Sequence, residues 1–500
     1  MEIFFTILIM TLVVSLSGVA ARILPFQIPL PLVQILAGAL LAWPTFGLHV
    51  DFDPELFLVL FIPPLLFADG WKTPISEFLH HGREIIGLAL VLVLITVVGI
   101  GYLIYWMVPG IPLIPAFALA AVLSPTDAVA LSGIVGEGRI PKKIMSIVQG
   151  EALMNDASGL VSLKFAVAVA MGTMVFTWGG ASIEFLKVAI GGLIAGVAVC
   201  WLYGKSLRLL SRQAPLAMRL RANSVWQMLE FVFNGMVFLM LGLQLPDIIG
   251  TSIDAANADP NVELWMLFTD IILVYGALMV VRFGWLWIMQ RLSKRVLKKK
   301  PMEFANYSLR ELLIASFAGV RGAITLAGVL SIPLFLTNGQ PFPARYELVF
   351  IATGVILFSL LVGVVVLPLL LRGVDGIDKA GHRRELQNAR AVMASVAIES
   401  LHKMEARLEN DTEENIDPEL LKEVSLRVIG NLRRRADGKS DLEQALFAEN
   451  LERRFRLTAL RAERAEVYHL RATQQISSES MQRLLRDLDL LEALLIEKEE

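Results

Sequence analysis

The sequence predicts an all-α polytopic membrane bundle followed by a helical soluble tail, and three observations carry that prediction. First, 55% of the 500 residues are apolar and the mean hydropathy is +0.62, above the roughly 45 to 50% apolar share of soluble domains. Second, the charges are segregated. Residues 372–500 hold 22 basic and 26 acidic residues of the chain's 45 and 47, while residues 1–371 have a net charge of only +2. Third, residues 1–371 contain eleven apolar segments near the roughly 20 residues that a helix needs to cross hydrocarbon. The domain boundary is therefore placed at 371/372, with a membrane domain before it and a cytoplasmic helical domain, regulatory or structural, after it. The single cysteine, Cys200, excludes an intrachain disulfide and a cysteine zinc cluster. No cofactor motif is present, and the near-neutral totals give no sign of nucleic acid as a partner.

The predicted spans are 3–21, 30–47, 55–70, 85–107, 112–134, 142–172, 183–210, 223–246, 262–289, 310–333 and 345–371. The first follows only Met1 and Glu2, without a basic leader, and reads as a true span. Basic residues occupy alternate loops: Arg22, then Lys72 and Arg83, then Arg139, Lys142 and Lys143, then Lys205 to Arg221, then Arg291 to Lys300. The intervening loops hold only Arg345, at the edge of the last span. Basic loops stay cytoplasmic, so the N-terminus is expected outside and the tail inside a plasma (inner) membrane. In the tail, Asp417-Pro418 and the pair Ser440/Glu443 read as helix starts. Met481, Leu484, Leu488, Leu491 and Leu495 form a narrow apolar seam, for a helix of its own domain before that of a partner.

Ionisable groups inside the apolar segments are the functional candidates, because burying them in a bilayer is costly. Span five contains Ser124-Pro125-Thr126-Asp127, a helix-start pattern in mid-membrane. It reads as a discontinuous helix whose freed carbonyls and carboxylate face a cation, or as a proline kink with Asp127 capping its own helix. Span six carries Glu151, Asn155, Asp156 and Ser158. Glu151 and Asn155, four apart, share one face, and Asp156 is rotated by about 140° from Glu151. Span ten carries Gly319-Val320-Arg321-Gly322, a second unwound stretch in which Arg321 is expected to pair with a buried acid. Glu230 and Asn234 read as an interhelical hydrogen bond, while Arg282 and Lys164 read as snorkelling to an interface.

At SPTD, GEALMND and GVRGAIT the chain resembles the first cation/proton antiporter family, the bacterial sodium/proton exchangers and their animal relatives, over residues 1–371. The resemblance implies two discontinuous helices crossing at the midplane, spans five and ten, within an inverted-repeat antiporter fold. It implies that Asp156 carries cation and proton in turn, that Asp127, Thr126 and Asn155 help to bind a sodium, potassium or lithium ion, and that Glu151 and Arg321 form a structural pair. Asparagine before the carrier implies electroneutral exchange, and the family is expected to form homodimers. Two departures stand out. Ala152 replaces the family's serine, which leaves Ser158, Ser124 or water as auxiliary ligand, and eleven spans replace thirteen, the missing pair falling after Leu210. A transporter is thus expected and not an enzyme. The alternatives are a cation channel or ion-sensing membrane protein, and an intramembrane aspartic protease built on Asp127 and Asp156, for which no Gly-x-Gly-Asp element is found.

Overall fold

The structure is a computed structural model. It describes residues 2–23, 28–43, 60–73, 75–136, 138–174, 178–211, 216–258, 264–296, 303–374, 379–409, 418–436, 442–473 and part of 475–492. The chain divides into two compact units, Met1–Ile377 and Asp378–Glu500. Among the described residues both are helical, apart from one isolated bridge between Phe335 and Pro341.

In the first unit every predicted span meets a helix. The helices are α1 (Glu2–Ile23), α2 (Leu30–Leu41), α3 (Ile62–Lys72), the short α4 (Ile75–His80), α5 (Gly82–Met107), α6 (Leu113–Leu123) and α7 (Ala128–Val135). They continue as α8 (Lys142–Ala170), α9 (Trp178–Ser211), α10 (Leu216–Ala258), α11 (Leu264–Val296), α12 (Leu309–Phe317), α13 (Ala323–Leu330) and α14 (Arg345–Leu371). Among the described residues, five are long and apolar enough to cross a bilayer, and α6 with α7 forms a sixth such unit bent by 50°. Leu8, Leu12 and Leu16 of α1 and Leu94, Tyr102 and Trp106 of α5 are exposed on the protein surface, as suits side chains whose solvent is lipid.

Close packing is achieved where side chains are absent. A Cβ on Gly38 of α2 would lie 2.1 Å from the Leu239 carbonyl oxygen of α10, and one on Gly242 would lie 2.0 Å from that of Ile35. The two helices therefore cross with backbones in contact, the usual device for helix association in lipid. α5 contains a π turn over Gly87–Leu92, at whose start the Gly87 carbonyl accepts a 3.0 Å bond from Trp285 Nε1 of α11. The helix predicted to end at 246 runs on through Pro246 to Ala258.

In the second unit α15 (Lys379–Glu409) packs on α16 (Pro418–Ala436). On α17 (Leu442–Ala472), Leu460 and Val467 receive Leu488, with Met481 and Leu485 beside it. The apolar seam thus has its partner within its own domain, while Leu484 and Leu491 stay exposed. Arg464 fixes this contact through 2.6 Å bonds to Asp489 and Glu492. The expected caps at Asp417 and Ser440, the end of the seam at Leu495, and the junction 212–215 lie outside the described residues.

Candidate functional site

Two helices stop in the interior of the first unit and restart a few residues later. In the first, Pro125 cannot donate to the preceding turn, so α6 ends at Leu123 and Asp127 opens α7. Its Oδ1 accepts from the Val129 and Ala130 amides, both at 2.8 Å, which satisfies two otherwise orphaned donors. The second break, 318–322, separates α12 from α13. The two breaks touch: the Asp127 amide donates to the Val320 carbonyl at 2.7 Å. A Cβ on Gly322 would fall 1.7 Å from Asp127 Oδ2, so only glycine permits this approach. Gly159 of α8 serves the same purpose on the other side, where a Cβ would meet Pro125 at 2.4 Å.

Beside the crossing, α8 supplies a buried polar row. Asn155 Nδ2 donates to Thr126 Oγ1 at 3.0 Å, Thr126 Oγ1 donates in turn to Glu151 Oε1 at 3.5 Å, and the Asn155 Oδ1 is buried without a donor. Asp156 is 6% exposed and has no hydrogen-bond or ion-pair partner among the described residues, with Asp127 and Asp69 near enough to act on its charge. Ser158 and Ser124 each give their hydroxyl proton to their own helix, at Met154 O (3.2 Å) and Ala121 O (2.9 Å), and keep oxygen lone pairs.

The expected pairing of Glu151 with Arg321 is corrected. Glu151 is held by Arg282 of α11, whose Nη2 lies 2.7 Å from Oε2 while Nη1 binds Oε1. The Arg282 Nε donates to the Ala315 carbonyl at 3.2 Å, and the absent side chain of Gly319 leaves room for the guanidinium. Snorkelling is excluded for this arginine, since it is 3% exposed. Arg321 instead donates through Nε to the Leu123 carbonyl at 3.1 Å and through Nη1 to Gly319 O, while its own amide reaches Ser359 Oγ at 3.2 Å. Its charge therefore faces the carbonyl ends of the two interrupted helices, α6 and α12, where backbone acceptors lack partners and the helix dipole is negative. Linear reading missed Arg282 because the basic residues that follow it, Arg291 to Arg295, suggested an interface. Asp69 was also passed over, although an acid within the apolar run of span three is the same signal that marked the others. Glu230 is buried, and Lys164 is exposed on the surface of the bundle.

Comparison with known proteins identifies the family. The sequence profile described as sodium/hydrogen exchanger, transmembrane, matches residues 7–222 and 209–373. The chain is 70% identical, over the whole of both chains, to an uncharacterized Na(+)/H(+) exchanger, YjcE, of Escherichia coli strain K12. It is 34% identical to a sodium, potassium, lithium and rubidium/H(+) antiporter of Bacillus pumilus, over 99% of this chain and 78% of that one. The solved sodium/proton antiporter MjNhaP1 of Methanocaldococcus jannaschii shares the fold, with a TM-score of 0.55 over 75% of this chain and 100% of that chain, at 17% identity. The alignment with YjcE runs over 547 positions against 500 residues here, so that relative has residues with no counterpart in this chain. The family match divides at 209–222, where predicted span seven meets span eight. An all-helical chain with two interrupted helices, matched along its length by exchanger sequences, belongs to the sodium/hydrogen exchanger family of polytopic membrane proteins.

Proposed function

We propose that the chain exchanges a monovalent alkali cation, sodium and also potassium or lithium, for a proton, with Asp156 carrying each in turn. The observation that carries this reading is the state of Asp156: a buried carboxylate with no partner among the described residues, close to Asp127 and the crossing. Such a group is costly in a membrane unless an ion or proton occupies it. A cation bound there has the Asn155 Oδ1 and the lone pairs of Thr126 and Ser158 as further oxygen ligands. Asp127 adds negative charge from the crossing, although its Oδ1 is committed to capping α7. Cation and proton cannot both occupy Asp156, so the two flows are coupled by competition. One carboxylate exchanging one cation for one proton moves no net charge, which agrees with an asparagine at 155.

In the same reading the eleven helical segments span the plasma membrane with the N-terminus outside and the second unit in the cytoplasm, as a homodimer. Alternating access arises from movement of the core built around α6 to α8 and α12 to α13 against the remaining helices. The named cations of the Bacillus pumilus relative support a broad alkali preference. An aspartic protease dyad is disfavoured by the cap that Asp127 makes.

The test is cation-driven proton movement in everted vesicles, with sodium, potassium and lithium supplied separately. The wild type is expected to respond and Asp156→Asn to be silent. Full exchange by Asp156→Asn rejects the carrier assignment, and uncoupled cation flux in the wild type identifies a channel.

A further inference from the structure

Among the described residues, the buried carboxylates are Glu84, Glu151, Asp156, Glu230 and Asp270. Glu151 holds Arg282, and Glu84 and Glu230 each interact with a neighbouring group. Asp156 and Asp270 alone of these five have neither a hydrogen bond nor an ion pair among the described residues. Asp270 therefore shares the defining property of the proposed carrier, and the mechanism above does not use it.

Its position argues against an accident of the surface. Asp270 lies two residues inside the apolar stretch Phe268–Arg295 of α11. Its neighbours Phe268, Ile272 and Leu273 are 59%, 52% and 54% exposed and so face lipid, whereas Asp270 is 9% exposed and turned into the bundle with Ile271 and Val274. An acid kept for stability is normally given a partner, as Glu151 has Arg282 and Glu77 has Lys142. At a rise of about 1.5 Å per residue, Asp270 stands roughly 18 Å along α11 from Arg282, toward the end opposite the basic residues Arg291, Lys294 and Arg295. Between the two, Tyr275 is buried within electrostatic reach of Arg321 at the crossing.

We propose that Asp270 is a second ion-exchanging carboxylate, which takes up the monovalent cation or the proton at the membrane face opposite Arg291–Arg295 and relays it toward Asp156. The inference rests on the transport reading above and adds a sided route to it. In the proposed orientation that face is the outer one. It is exposed to the medium in right-side-out vesicles and to the lumen in everted ones.

The experiment measures sodium-dependent proton movement by the full chain in both kinds of vesicle. With sodium outside right-side-out vesicles, Asp270→Asn is expected to raise the half-saturating concentration several-fold. In everted vesicles, where the medium bathes the other face, that value is expected to stay within twofold of the wild type. Asp270→Glu should restore the right-side-out value, and the same protocol run as a proton titration at fixed sodium shows which of the two ions uses the residue. A wild type without sodium-dependent proton movement rejects the transport reading itself. A working wild type matched by Asp270→Asn on both faces, or a change equal on both, overturns the relay. Independently of transport, Asp270→Cys combined with Cys200→Ser should react with a membrane-impermeant cationic thiol reagent from the medium of right-side-out vesicles. A thiol inert from that face overturns the relay as well.

Discussion

Arg282 and Glu151, 131 positions apart in sequence, meet in a bidentate ion pair with both side chains almost fully buried. Removing one member strands the other. Arg282→Ala is expected to destabilise the first unit by about 3 to 5 kcal/mol, read as a large fall in melting temperature in detergent. Glu151→Gln combined with Arg282→Gln should recover a good part of that loss. Arg321→Ala should leave the Glu151 pair intact and act through the two helix ends that its guanidinium caps.

The contact between Gly322 and Asp127 leaves no room for a methyl group. Gly322→Ala places a carbon 1.7 Å from Asp127 Oδ2 and must push the crossing apart, at a cost of at least about 1 to 3 kcal/mol. Cation/proton exchange is expected to be abolished even in preparations that remain folded and monodisperse. Wild-type exchange rates in this variant would contradict the crossing geometry.

The α2/α10 crossing predicts a different outcome for Gly242→Ala. The added carbon would lie 2.0 Å from the Ile35 carbonyl oxygen, between two helices that carry none of the proposed ion ligands, so folded yield and melting temperature should fall. The cation concentration at half-saturation should be unchanged in whatever protein survives.

At the end of α8 beside α4, Glu77 accepts from the Ser146 hydroxyl at 2.5 Å and pairs with Lys142 at 2.9 Å. The Ser146 hydrogen bond first, and then Lys142, hold its carboxyl below the ordinary value of 4.5. A depressed pKa contributes stability above the unfolded value, and that stability is lost as pH falls through the folded one. Glu77→Gln should therefore cost stability at pH 7, and progressively less as pH falls below 4.5. The difference should be small, about 1 kcal/mol or less, because the Lys142 side chain is 62% exposed. Melting curves of wild type and variant across that pH range test it.

The helices and both interruptions were legible because each leaves a local mark. Apolar length marks the spans. The Ser124-Pro125-Thr126-Asp127 run combines a residue that cannot donate with one that can cap, and Gly319 and Gly322 flank an arginine that no lipid-facing helix would carry. Pairing left no such mark. A linear reading gave Glu151 to Arg321 and sent Arg282 to an interface, whereas the pairing depends on how α11 is rotated against α8, which is fixed by packing. Asp69 and Asp270 were missed for a simpler reason: neither belongs to a motif like Ser124-Pro125-Thr126-Asp127 or the Glu151-to-Asp156 run.

The hydrogen bond from the Asp127 amide to the Val320 carbonyl joins main chain to main chain. Replacing either side chain leaves the atoms of that bond in place, and of the twenty residues only proline at 127 would delete it. Drift at these two positions can retune what the crossing binds while the knot that holds the two half-helices together is inherited unchanged.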